Sequence, residues 1–153
     1  KEYRRQRQMC IRDRGEGDTS CKAMVSPGIV LDTPRHGAVE VIPGVIDDTA
    51  RFAFTSGHCH ALALAIHQHT GWPMLAMSGR FSAYRDLRHV VVQMPDGRWL
   101  DINGPQEPEE RLVIRPISED EVTHMGRIRD WDNPDVEPAR SFVEPLLKEH
   151  GLI

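Results

Sequence analysis

The chain has 153 residues, 39% hydrophobic and 27% charged, with a formal net charge of −4. That length fits one domain with one core. It contains no apolar run of about 18 residues, so no membrane-spanning helix is expected. The amino terminus has no apolar stretch followed by a cleavage site, so no signal peptide is read there and a cytoplasmic setting is expected.

Met9-Cys10-Ile11-Arg12-Asp13-Arg14 reads as an in-frame translation of the transposon end used in preparing DNA sequencing libraries. Lys1–Arg14 are therefore expected to be an assembly artefact from a metagenomic source. Gly15–Ala23 are then read-through, and Met24 opens a single domain of residues 24–153. Setting aside the six basic and two acidic residues of 1–14 leaves 13 basic and 21 acidic, a net charge of −8. An acidic body argues against nucleic acid as a partner, since phosphate contacts need clustered Lys and Arg. Of the three cysteines, Cys10 and Cys21 fall in the extension and Cys59 remains. A single thiol makes no disulfide framework and is a candidate nucleophile.

Between Val25 and Asp48, Pro27, Pro34, Gly37, Pro43 and Gly44 punctuate Ile29–Leu31 and Val39–Ile42, which read as short strands or extended arms. Arg51–Phe54 reads as a further extended piece. Gly57–His69 is expected to be a helix capped by Thr55 or Ser56 and ended by Thr70-Gly71 before Pro73. Leu62, Ala65, Ile66 and His69 recur at i, i+3, i+4, i+7 and predict one buried face. Met74–Met77 predicts a strand, His89–Met94 and Arg98–Ile102 two more, and Leu112–Ile114 a short one. Ser118-Glu119-Asp120-Glu121 has the capping-box pattern of a short helix. The acidic stretch Asp130–Asp135 reads as a turn. Glu137–His150 reads as an amphipathic helix, apolar at Phe142, Val143, Leu146 and Leu147, that Pro145 kinks or splits.

Pro95-Asp96-Gly97 has the chemistry of a three-residue loop closed by a glycine bulge. It pairs Val92 with Leu100, Val90 with Ile102 and His89 with Asn103. Val90, Val92, Met94, Leu100 and Ile102 then share one face, and His89, Val91, Gln93, Trp99, Asp101 and Asn103 the other. A one-residue slip would scatter the apolar set, so the pattern selects this register. Asp101 falls diagonal to His89, ~7–8 Å between backbones, within side-chain reach. Cys59 lies in the first turn of its helix, where free N–H groups and the dipole favour a thiolate. His89 would take the thiol proton, and Asp101, or Asn103 as the alternative, would fix the imidazole.

Gly57-His58-Cys59-His60-Ala61-Leu62-Ala63 resembles the Gly-x-Cys-x-x-x-Ala helix start of transglutaminase-like and papain-like cysteine enzymes. His89-Val90-Val91-Val92, followed by Asp96-Gly97-Arg98-Trp99-Leu100-Asp101, resembles the transglutaminase-like stretch that carries the His and Asp of the triad. The likeness spans about residues 55–105. It implies an α+β fold with the nucleophile helix packed on a small antiparallel sheet, a Cys59-His89-Asp101 triad without cofactor or metal, and thiol attack on the amide bonds of a peptide or protein. It departs from both patterns in having no aromatic after His89 and no Gln upstream of Cys59 matching the papain oxyanion helper, so a second oxyanion donor is not placed.

Two rival readings accompany this one. An inactive relative would serve as a binding module, and a metal protein would use the His-rich helix through His58, Cys59, His60, His67 and His69. A working triad predicts Cys59 partly exposed beside His89, whereas an inactive relative predicts it buried or displaced. A metal site predicts His60 and His67 converging with a third ligand. Trp72 and Trp99 either line a cleft or pack in the core.

Overall fold

The first apolar runs form a hairpin of β1 (Ile29–Thr33) and β2 (Gly37–Val41), antiparallel from Ile29–Val41 to Thr33–Gly37. The computed structural model describes residues 28–34, 36–78, 87–109, 113–124 and 135–153. The amino-terminal extension, the start at Met24, Leu112 and residues 130–134 of the acidic stretch lie outside them.

Arg51–Phe54 is not extended. Asp47 caps a helix, α1 (Asp48–Ala53), by accepting from the Ala50 N–H at 2.9 Å. Next comes α2 (Cys59–Thr70), which starts two residues later than expected. Its N-cap is His58, with no side-chain cap, and the Thr55 hydroxyl instead donates back to the Arg51 and Phe52 carbonyls. Gly71, at φ 78°, closes the helix in the left-handed conformation.

The remaining elements are β3 (Met74–Ser78), β4 (Leu87–Gln93), β5 (Trp99–Asp101), β6 (Gly104–Gln106), β7 (Val113–Ile117), α3 (Glu119–Thr123) and α4 (Glu137–Glu149). Strands β3 to β7 form one antiparallel sheet in the order β6-β5-β4-β3-β7. The described residues are thus mixed α+β, with a five-stranded sheet, a separate hairpin and four helices. No described helix is long and apolar enough to cross a membrane.

The β4–β5 turn has the expected register. Met94 N–H donates to Arg98 O at 2.8 Å, Gly97 takes φ 89°, and Val92 pairs with Leu100. Beyond it the expected strand is too long. Ile102 and Asn103 form a two-residue turn, and β6 returns with Asp101 opposite Gly104. Pro105, which lacks an N–H, disguises this edge strand.

Side-chain alternation sorts the sheet into two faces. Val90, Val92, Met94, Leu100 and Ile102 join Met74, Ala76 and the α2 side chains in the main core, while Leu75, Met77, Val91 and Trp99 form a second buried cluster. Burial of α2 is not confined to one face, because all eight residues from Cys59 to Ile66 are buried. The helix runs between the sheet on one side and α4 on the other, so it has no solvent face over its first two turns.

Helix α4 stays one element through Pro145 instead of splitting. The turn at Gly44 (φ +77°) packs onto it there: a Cβ on Gly44 would lie 3.3 Å from the Ser141 carbonyl, the acceptor that Pro145 leaves without its helical N–H. Phe54 and Phe142 meet edge to face at 4.9 Å, tying the segment before α2 to α4.

Helix α3 carries the expected capping box between Ser118 and Glu121. At the edge of the sheet opposite β7, the β5–β6 turn lies against the chain end: Gly104 has φ +95°, and a Cβ there would overlap the His150 ring. Gly104→Ala combines a strained φ with a steric clash, so it should destabilise the protein by about 1–3 kcal/mol. Urea unfolding monitored by tryptophan fluorescence measures this; an unchanged midpoint would show that His150 yields freely.

Candidate functional site

Cys59 is the first residue of α2, and its helix start is anchored on both sides. Buried Phe54 packs on Phe142, the His58 N–H donates to Ala53 O at 3.3 Å, and the His58 ring donates from Nε2 to the Asp32 carbonyl of β1. The first bond inside the helix runs from Leu62 N–H to His58 O, so the N–H groups of Cys59, His60 and Ala61 precede the helical ladder. Gly57, at φ 118°, supplies the sharp turn into this start. Cys59 itself is only 4% exposed, more closed than an accessible nucleophile was expected to be.

His89 stands on β4 opposite Met77, next to a slip in the pairing where Leu87–His89 oppose only Met77–Ser78. Such an extra residue bends a strand and re-aims its side chains. His89 Nε2 donates to Asp101 Oδ2 at 2.9 Å, which leaves Nδ1 as the nitrogen available to the thiol. Asp101 is 8% exposed, and its other oxygen is occupied twice: Oδ1 accepts from the Asn103 N–H at 2.8 Å and from Gln106 Nε2 at 2.6 Å.

The electrostatics join the three groups. Burial pushes the Cys59 thiol up, but His60 and then His89 outweigh it and hold it at about 5. His60 acts by the closeness of its ring, since neither of its nitrogens makes a properly directed hydrogen bond. Burial pushes His89 down, but the Asp101 carboxylate and then the Cys59 thiol raise it to about 10. Burial likewise opposes the charge on Asp101, yet the His89 and Asn103 hydrogen bonds keep its carboxyl below the usual range. At neutral pH these values describe a thiolate beside an imidazolium. That pair is equipped for nucleophilic attack followed by proton return.

The structure therefore brings Cys59, His89 and Asp101 together, whereas Asn103 contributes its backbone N–H and turns an exposed side chain outward. Sequence reasoning missed Gln106, whose signal was the Asn103-Gly104 pair at the end of the Ile102-Asn103 turn, which returns the chain beside β5. It also considered His60 only as a metal ligand. A lone histidine within a buried Ala/Leu run was the signal that it has another role. His67 does not converge with His60: its Nδ1–H donates to the Trp72 carbonyl at 2.7 Å, and His69 is exposed. Among the described residues, no group of three Cys, His or acidic side chains is placed to hold a metal ion. Trp99 packs in the second cluster, while Trp72 lines a cleft with Pro73, Met94 and Pro95 at the opposite end of β4 from His89.

Comparison of the chain with protein-family models, curated proteins and solved structures found no match.

The two displaced titrations leave a signature in stability. His89 is raised from its ordinary 6.5, so its contribution is whole below 6.5 and lost as pH rises through about 10. Cys59 is depressed from 9.0, so its contribution is whole above 9.0 and lost as pH falls through about 5. Between 6.5 and 9.0 the folded ion pair and the unfolded neutral pair carry equal numbers of protons, and the slopes cancel. Urea unfolding across pH should show this plateau with a fall on either side. In Cys59→Ala the fall between pH 6.5 and about 5 should disappear, and stability should decline from 6.5 upward because Asp101 still holds the His89 proton. A wild-type profile with no loss toward pH 5 would mean that the thiol is neutral.

Proposed function

We propose that the chain is a cysteine-dependent hydrolase or acyl transferase acting on amide bonds of a peptide or protein, of the transglutaminase-like or papain-like kind. The observation that carries this reading is the single constellation of Cys59 at a helix start, His89 held by Asp101 at 2.9 Å, and a thiol depressed to about 5 beside an imidazole raised to about 10. The order Cys, His, Asp along the chain and a thiol-bearing helix on an antiparallel sheet agree with the resemblance noted in the sequence. A reducing compartment such as the cytoplasm suits a free, reactive thiol.

The chemistry follows from the geometry. The Cys59 thiolate attacks the carbonyl carbon; a C–S bond forms and the C=O electron pair moves onto oxygen. The tetrahedral species collapses, the C–N bond breaks, and His89 gives its proton to the departing amine. A thioester remains on Cys59. Water, or an amine in a transferase, then attacks it while His89 takes the proton, and collapse releases the acyl product and restores the thiolate–imidazolium pair. Asp101 keeps the imidazole oriented throughout, with its own carboxylate fixed by Asn103 and Gln106.

One observation favours the binding-module reading instead. Cys59, at 4% exposure, is closed to a substrate unless the site opens. Alkylation of Cys59 by iodoacetamide separates the two, using the full chain with Cys10→Ser and Cys21→Ser. The enzyme reading expects a rate that rises through pH about 5. In His89→Ala the midpoint should move up toward or beyond the ordinary thiol range of about 8.5. A slow reaction with an ordinary titration, indifferent to His89, leaves a structural cysteine in a binding domain.

A further inference from the structure

A fully buried imidazole without partners sits next to the nucleophile. His60 is 1% exposed, and neither Nδ1 nor Nε2 has a hydrogen-bond partner among the described residues. Leaving a buried donor or acceptor unsatisfied costs about 1–3 kcal/mol. An apolar residue would fill the same place in this Ala/Leu run without that cost. Retaining a histidine here is understandable if its ring acquires a partner during the protein's work.

The surroundings favour an anionic partner. His60 is the second residue of a 12-residue helix, and its backbone N–H, with those of Cys59 and Ala61, precedes the helical ladder. Its ring acts on the Cys59 thiol at close range, so a carbonyl under attack by that sulfur comes within the same neighbourhood. An imidazole ring offers at least one N–H donor in either charge state. His89 is already committed to Asp101 through Nε2 and to the thiol, so it is not available for the substrate oxygen.

We propose that His60 is a catalytic residue of the Cys59 site, its imidazole N–H donating, together with the Cys59 backbone N–H, to the oxyanion that forms on the carbonyl of an acyl substrate. This rests on the amide-acyl reading above. No bond to His60 is made or broken: as sulfur adds to the carbonyl carbon, the oxygen gains the electron pair and His60 stabilises it by hydrogen bonding, then releases it when the C=O reforms.

Two reagents isolate the role. Iodoacetamide alkylates sulfur by displacement of iodide and forms no oxyanion, whereas p-nitrophenyl acetate acylates sulfur through one. In the full chain with Cys10→Ser and Cys21→Ser, limiting rates at Cys59 are read by mass spectrometry across the pH profile, so any change in thiol ionisation is factored out. His60→Leu should lower the limiting acylation rate by about 10²–10³-fold while leaving limiting alkylation within about threefold, and His60→Gln, which keeps an N–H donor, should recover most of the loss. Equal losses in both reactions, or no loss in acylation, overturn the proposal. If His60→Leu does not fold, ¹⁵N-histidine spectra of the wild-type side chain decide the matter. A short peptide aldehyde, which places an oxygen on the carbon bonded to Cys59, should generate a new slowly exchanging imidazole N–H signal that is absent in His60→Gln. Its absence in wild type overturns the assignment. A wild-type Cys59 that neither alkylates near pH 5 nor acylates overturns both readings, whereas normal wild-type acylation unchanged in His60→Leu overturns this one alone.

Discussion

Everything around the site follows from one constraint: a helix whose first two turns have no solvent face. Residues Cys59 to Ile66 are buried on every side, so the helix end that bears free N–H groups is itself inside the protein. Buried donors demand partners, and the positive end of a helix favours negative charge. A thiolate suits that preference for negative charge, but a buried anion alone is costly. The sheet answers with an imidazolium, and the imidazolium is in turn matched by Asp101. The chain of dependence therefore runs from packing to charge, and each charged group is tolerable because of the next.

The same dependence explains why the supporting residues are so fully engaged. Asp101 is nearly buried, and a carboxylate there needs all its acceptor sites used. One oxygen serves His89 and the other serves Asn103 N–H and Gln106. The tight Ile102-Asn103 turn makes this possible, because it returns the chain at once and lays β6 beside β5. On the other flank, His58 links the start of α2 to the β1–β2 hairpin through the Asp32 carbonyl. A hairpin outside the main sheet thereby helps to hold the start of the Cys59 helix in place.

Much of this was legible in the residues, where local chemistry and periodicity pointed the same way. Pro95-Asp96-Gly97 and its alternating neighbours determine the β4–β5 register, and with it the approach of His89 to Asp101. The capping box of α3 and the glycine that ends α2 were equally plain. What misled was context. Arg51–Phe54 looks extended unless Asp47 is recognised as a cap, and Pro105 hides β6 because a proline argues against a strand that in fact lies at an edge. The all-round burial of α2 has no periodic signature, since alanines and leucines occur on every side and only the neighbours α4 and β4 determine what is covered. Pro145 suggests a kink or a split, because sequence does not reveal that the Gly44 turn packs beside the freed carbonyl. The role of Gln106 was masked along with β6, despite the turn signal before it.

The spacing of the site along the chain has a consequence for how it is assembled. His89, Asp101, Asn103 and Gln106 belong to one continuous stretch folded by two tight turns. Closing such short loops costs little chain entropy, so the His89–Asp101 half of the site is a nearly local structure. Cys59 arrives from a separate element, separated from His89 by α2 and β3, and joins only when α2 docks on the sheet. The two halves therefore differ in what brings them together: turn chemistry holds the imidazole and its carboxylate, and tertiary packing alone delivers the sulfur. A perturbation that loosens the core without melting the hairpin would part the Cys59 thiol from an imidazole still held by Asp101.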